Sequence, residues 1–239
     1  MSAQVIEMET IPSIEIETTK ESKLSKIDFD NMPFGKTFSD HMLICEYYDG
    51  KWQTAKIQPY QNISLSPACN VFHYGQAIFE GMKAYRTAEG KIQLFRPEMN
   101  AKRMINSNAR LCMPEFPVDM FVEAVEALVK VEADWVPSEP NTSLYIRPFM
   151  FATEAALGVH MANAYKFMII CCPVGAYYAA GLNPVKILVE DELVRAVKGG
   201  TGFTKCGGNY AGSILGQVKA EKLGYAQVLW LDGEHRKYV

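Results

Sequence analysis

The chain has 239 residues, of which 49% are hydrophobic and 21% charged, so disorder throughout is excluded: there is ample apolar material to bury. A net charge of −3 at pH 7 argues against nucleic acid as the main partner, since phosphate binding wants a basic face. No stretch is long and apolar enough to span a bilayer, and the opening MSAQVIEMETIPS lacks the basic-then-apolar pattern of a secretory leader.

Residues 1–26 mix five Glu and three Lys with Ser and Thr, without sustained periodicity, and read as a flexible acidic tail. Inside it IEIET alternates like a strand, but its flanks do not support one. From about Lys36 the signals are β. Two strand-like runs flank Asp49-Gly50, a strong hairpin dipeptide. MKAYRTAEGKIQLFRP predicts a second hairpin turning near Glu89-Gly90. A helix follows from about Pro97 to Cys112, with Pro suited to its first turn. Another runs from about Pro117 to Ala133, and Val118, Phe121, Val122, Val125, Leu128 and Val129 fall on one face of it. SLYIRPFMFAT and AYKFMIICCPV are apolar strands. Antiparallel strands with helices make residues 27–174 a small α+β domain.

Residues 175–184, with GAYYAAGLNP, read as an interdomain connection, and 185–239 as the start of a second, larger domain. VKILVED predicts a strand, ELVRAV a short helix or turn, and GGTGFTKCGG a glycine-rich loop. A helix is expected from about Asn209 to Leu223, stopped by Gly224. AQVLWLD is a strand, DGE a turn, and HRKYV the start of a returning strand. A hairpin interrupted there leaves sheet edges uncovered, so the expectation is the front part of a longer protein.

The six cysteines, at 45, 69, 112, 171, 172 and 206, sit in apolar surroundings with no CxxC and no zinc spacing. Buried, reduced thiols in a reducing, cytoplasmic setting are expected, and no metal site. His73 beside Tyr74 is expected to be a satisfied buried histidine rather than a base.

The stretch GGTGFTKCGGNYAGS, 199–213, carries the chemistry. It is not a P-loop, because Thr204 rather than Gly precedes Lys205 and Cys206 follows it. What remains is a lysine in a glycine-rich turn just before a helix. Its amine, once deprotonated, can attack a carbonyl, although a solvated loop lysine has the same local pattern. Cys206, with no His near it in sequence, reads as a packing residue.

KCGGNYAGS followed by QVLWLDG resembles the lysine segment of the branched-chain-amino-acid aminotransferases, fold-type-IV pyridoxal-phosphate enzymes. FGKTFSDHML at 34–43, HYGQAIFEGMKAY at 73–85, LFRPEMNAKRM at 94–104, SLYIRP at 143–148 and CPVGAYY at 172–178 extend the resemblance in order over roughly residues 30–239. It implies a two-domain fold and transfer of an amino group between Leu, Ile or Val and 2-oxoglutarate.

By the same resemblance Lys205 is the catalytic, Schiff-base lysine. Tyr210 bonds the cofactor's phenolic oxygen, Arg103 the phosphate, and Arg195 is a further cofactor-side arginine. Phe34, Tyr74, Phe79, Tyr145 and Tyr177 form an aromatic substrate pocket, whose walls suit aliphatic side chains. Arg147, on the same side of a strand as Tyr145, accepts the side-chain carboxylate of glutamate with it. Val159 belongs to a loop that reaches the neighbouring subunit of a homodimer. The carboxylate that holds the pyridine nitrogen lies, in the family, beyond the VLWLDG hairpin, and Glu234 is not given that role. Little turnover is therefore expected of the 239 residues alone. The alternatives are a D-amino-acid aminotransferase or aminodeoxychorismate lyase on the same fold, or a non-catalytic dimerising fragment.

Overall fold

The computed structural model describes residues 4–5, 14–29, 32–175 and 183–239. The chain divides into two compact units, residues 1–177 and 178–239.

In the first unit the chain runs through β1 (Gln4–Val5), β2 (Ile14–Ile16), β3 (His41–Tyr48), β4 (Lys51–Trp52), β5 (Ala55–Pro59) and α1 (Asn70–Tyr74). It continues with β6 (Ala77–Phe79), β7 (Met82–Arg86), β8 (Ile92–Leu94), α2 (Pro97–Arg110), α3 (Val118–Val131), β9 (Ser143–Ala152) and β10 (Tyr165–Val174). One sheet takes the order β1-β8-β7-β9-β10-β3-β5-β2, with β4 on β3 and β6 on β9. Its pairs are antiparallel except β2 with β5. Both expected hairpins form. At the first, Asp49 and Gly50 take φ of 52° and 74°, the left-handed pair that matches strand twist.

Along β9 burial alternates, with Leu144, Ile146, Pro148 and Met150 buried and Tyr145, Arg147 and Phe149 half-buried. The buried face packs under α2 and α3. Phe121 of α3 is fully buried and tilts onto Phe167 of β10, which also stacks on Phe116 at 3.9 Å. Burying each such ring stabilises the unit by about 1.5–3 kcal/mol. On the opposite face Met42, Phe151 and Met168 form a smaller cluster with Val71 and Phe149.

β6 and β7 are one strand in all but name. Ala77 opposes Phe151, Phe79 opposes Phe149, and Met82 opposes Ile146, a constant register. The ladder lapses where Pro148 has no N–H to give. Glu80 still donates its own N–H to the Pro148 carbonyl at 2.7 Å.

The amino-terminal reading needs correction. IEI is a strand after all, lying parallel to β5 with Ile16 opposite Ile57. Beyond it the Thr19 N–H bonds His41 Nε2 at 2.8 Å, and the Lys23 N–H bonds the Asp40 carboxylate at 2.9 Å. Those acceptors lie about twenty residues away, so local flanks carried no sign of them.

The second unit contains β11 (Ile187–Glu190), α4 (Gly207–Ala211), α5 (Ile214–Lys222) and β12 (Gln227–Trp230). β11 and β12 pair in parallel, Ile187 with Gln227 through Glu190 with Trp230. At Gly216 of α5 an added Cβ would stand 2.5 Å from Trp230 Cη2, so helix and strand approach more closely than any side chain permits. The single helix expected from Asn209 starts earlier and breaks at Gly212–Ser213, where the Ser213 hydroxyl donates back to the Tyr210 carbonyl at 2.8 Å. ELVRAV is neither helix nor turn but an irregular bend, with the Glu190 carboxylate accepting the Glu192 and Leu193 N–H groups.

HRKYV is not a strand. The Asp232 carboxylate gathers the N–H groups of Glu234, His235, Lys237 and Tyr238 into a loop, and those donors hold the carboxyl well below the usual range. Among the described residues no helix is long and apolar enough to cross a membrane.

Candidate active site

On the half-open face of the first unit's sheet, four of the expected pocket residues meet. Arg147 of β9 donates from Nη2 and Nε to Tyr145 Oη at 2.8 and 3.2 Å. Its guanidinium lies over the Phe79 ring at 4.5 Å. Phe34 meets the Tyr145 ring edge-on at 5.0 Å and is itself 56% exposed. Period-two alternation puts 145 and 147 on one side, and the antiparallel register brings Phe79 opposite Phe149 beside them. Gly81 makes the cluster possible: a Cβ there would stand 2.3 Å from Tyr145 Oη. A cationic fork ringed by aromatic surface can hold a carboxylate at one end and an aliphatic chain along its walls.

Glu80 and Arg103 lie on the other face. Arg103 of α2 donates from Nε and Nη2 to the two Glu80 carboxylate oxygens at 2.8 and 2.6 Å. Asn100, one turn earlier, donates to Glu80 Oε2 at 2.9 Å. Glu80 is fully buried and the Arg103 side chain is half exposed. Sequence reasoning found Arg103 but missed Glu80 and Asn100, although FEG and NAKR both stand within the resembling motifs. Alternation of Phe79 and Glu80 along one strand was the available signal.

Tyr74 and Val159 form a separate set. Tyr74 Oη accepts the Gly158 N–H at 2.8 Å, and Val159 beside it is 87% exposed. Both line a groove of about 310 Å³ with Gln76, Leu111 and Met161. Tyr177 lies outside the described residues. His73 needs correction: it is exposed, its ring Nε2 2.9 Å from the Pro67 carbonyl, because in five-residue α1 only Asn70 is buried. Cys112 is also exposed, while the other five cysteines are buried. Burial pushes the Cys45 thiol up to about 11 and the Cys171 thiol well above its ordinary value.

In the second unit Lys205 Nζ donates to Tyr210 Oη at 2.8 Å. Lys205 stands between buried Thr204 and buried Cys206, and Tyr210 sits on α4, five residues on. Asn209, unnoticed in the sequence, is buried behind the turn. Its Nδ2 reaches the Thr201 and Thr204 carbonyls, and its Oδ1 accepts the Thr201 hydroxyl, each at 2.7 Å. At Gly202 a Cβ would stand 2.6 Å from Ala196 Cβ. The turn is thus seated against the segment carrying half-buried Arg195. An amine bonded to a phenol, in a turn open at Gly207 and Gly208, offers donors suited to an aldehyde and an adjacent phenolic oxygen.

A scan against protein-family models finds no match. The chain is 48% identical over 231 residues to branched-chain-amino-acid aminotransferase 2 of Bacillus subtilis (strain 168), covering 96% of this chain and 63% of that protein. It is 52% identical over 216 residues to branched-chain-amino-acid transaminase 1 of the same strain, covering 90% of this chain and 61% of that protein. Among solved structures, the T.th. branched-chain amino acid aminotransferase with pyridoxamine 5'-phosphate superposes at TM-score 0.63 and 29% identity. That match covers 80% of this chain and 60% of the solved one. The chain therefore spans a little over three fifths of the curated relatives it matches. With about half of the aligned residues identical across almost its whole length, the chain is similar to the branched-chain-amino-acid aminotransferases and shares their fold-type-IV architecture.

Proposed function

We propose that this protein is a pyridoxal-phosphate-dependent transaminase that moves an amino group between Leu, Ile or Val and 2-oxoglutarate. The observation that carries the reading is the bond from Lys205 Nζ to Tyr210 Oη in a glycine-rich turn, with buried Thr204 and Cys206 on either side of the lysine. When bound, pyridoxal phosphate supplies an aldehyde and an electron-accepting ring. Lys205 Nζ would hold the cofactor and take and return the proton at the substrate Cα. Tyr210 would direct that amine and bond the cofactor's phenolic oxygen. Arg103, its guanidinium oriented by Glu80, would bring a permanent positive charge to the phosphate, and Arg195 would stand on the cofactor side.

Substrate recognition falls to Phe34, Phe79, Tyr145 and Arg147. Their rings favour an aliphatic side chain, and the Arg147 guanidinium favours the carboxylate of glutamate. Tyr74 and Val159 are proposed to serve the site of the other subunit in a homodimer. An apolar loop tip as open as Val159, pinned by Tyr74, suits cover by a second copy. A cytoplasmic location belongs to the same proposal, the buried thiols suiting a reducing compartment.

The test is trapping. The protein is incubated with pyridoxal phosphate, reduced with borohydride and digested. A cofactor-mass adduct on the Lys205 peptide is expected, and a Lys205→Ala variant should lack it. Labelling that spreads over exposed lysines and spares Lys205 refutes the reading.

A further inference from the structure

We infer that Asn209 is the positioning residue for Lys205: its buried side-chain amide closes the 201–204 turn and thereby sets where the lysine leaves the backbone. The inference rests on the reading of Lys205 as the cofactor-holding amine.

Regular structure contributes little to the turn. Its own backbone supplies the bond from the Thr204 N–H to the Thr201 carbonyl at 2.8 Å, and no strand among the described residues pairs with it. Glycines at 199, 200 and 202 make the chain here adaptable, and Gly199 takes φ of 79°. Asn209 supplies the missing constraint. Both hydrogens on Nδ2 are spent, one on each end of the turn, and Oδ1 takes the Thr201 hydroxyl. The residue is 8% exposed, so water does not compete effectively for these groups.

The geometry makes a closed circuit. Asn209 grips the Thr204 carbonyl, Lys205 follows Thr204, Lys205 Nζ meets Tyr210 Oη, and Tyr210 adjoins Asn209. One end of α4 therefore holds the lysine at its root and at its tip. Asparagine suits this task specifically. Aspartate has the same shape but presents no N–H, and would set a negative oxygen against two carbonyls. Glutamine adds a methylene to a side chain already bonded at both ends of the turn, and serine reaches one carbonyl at most.

The experiment uses pyridoxal phosphate and borohydride on the 239-residue chain and reads the adduct on Lys205 against cofactor concentration. Reaction of Lys198, exposed seven residues earlier, with acetic anhydride serves as the internal reference for Lys205. Asn209→Asp should weaken Lys205 trapping about tenfold, as expected when two buried carbonyls lose their donor, and change the Lys205-to-Lys198 ratio. Thr201→Val, which removes only the hydroxyl, should shift both readouts in the same direction, and Thr201→Ser should restore them. A general loosening would move both lysines together, leave the ratio unchanged and so overturn the inference. Trapping in Asn209→Asp equal to wild type also overturns it. Should Asn209→Asp not fold, Thr201→Val decides the question alone by the same criteria. No Lys205 adduct in the wild type refutes instead the underlying reading of the lysine.

Discussion

Arg103 and Glu80 form a two-pronged ion pair at 2.8 and 2.6 Å between a half-exposed guanidinium and a wholly buried carboxylate. Unequal burial decides what each truncation does. Removing the arginine strands a charge in the core, whereas neutralising Glu80 leaves the Asn100 contact able to persist. Arg103→Met should cost about 3 kcal/mol, the low end for breaking a buried pair because Arg103 is half in water. Glu80→Gln should cost clearly less. Urea midpoints of the two variants check the order, and equal or reversed losses would show that the pair is not what stabilises this corner.

Gly81→Ala should act on substrate choice more than on folding. The new methyl must displace the Tyr145 hydroxyl, which lies at the movable end of a side chain. Arg147 then loses its partner. Steady-state assays of the proposed transamination should show KM for 2-oxoglutarate rising about tenfold, with KM for leucine changed less. A uniform loss for both substrates would contradict the division of labour proposed for this face.

Burial raises the Glu132 carboxyl above its ordinary value of 4.5, even though its Oε1 accepts both the His41 N–H and the His41 ring at 2.6 Å. A carboxyl raised on folding favours the fold below 4.5, and the advantage fades as pH climbs through the folded value. The stability of wild type relative to Glu132→Gln should therefore decline with rising pH over the window above 4.5. Denaturation midpoints of both proteins across that window test the sign, and a rising difference refutes it.

Tyr74→Phe deletes the acceptor of the Gly158 N–H and little else. Amide exchange through residues 156–161 should quicken about fivefold, consistent with a net hydrogen bond of about 1 kcal/mol, and the global midpoint should hardly move. Unchanged exchange would mean the loop is held by other contacts.

Much of this fold is legible in short-range pattern. The Asp49-Gly50 turn, the Pro97 helix start and the apolar stripe of α3 each follow from local chemistry, and each appears where expected. The errors share one cause. IEI lacked a local partner because its partner is β5, and HRKYV looked extended because the reach of Asp232 over four amides has no periodic signature. The site divides in the same way. Lys205, Tyr210, Tyr145 and Arg147 stand out through motif and spacing, and the contacts among them are short. Asn209, Glu80 and Gly81 work by touching something distant or by leaving room, and a single sequence does not display either.

The constant register from Ala77 to Ala84 has an evolutionary consequence. Odd positions 79 and 81 serve the half-open face, and even position 80 anchors the helix beneath. One residue gained or lost in this stretch would exchange these duties, driving a carboxylate into an aromatic recess and a phenyl ring against Arg103. A gain or loss of residues should therefore be borne by the turns, while this strand admits substitution only in place.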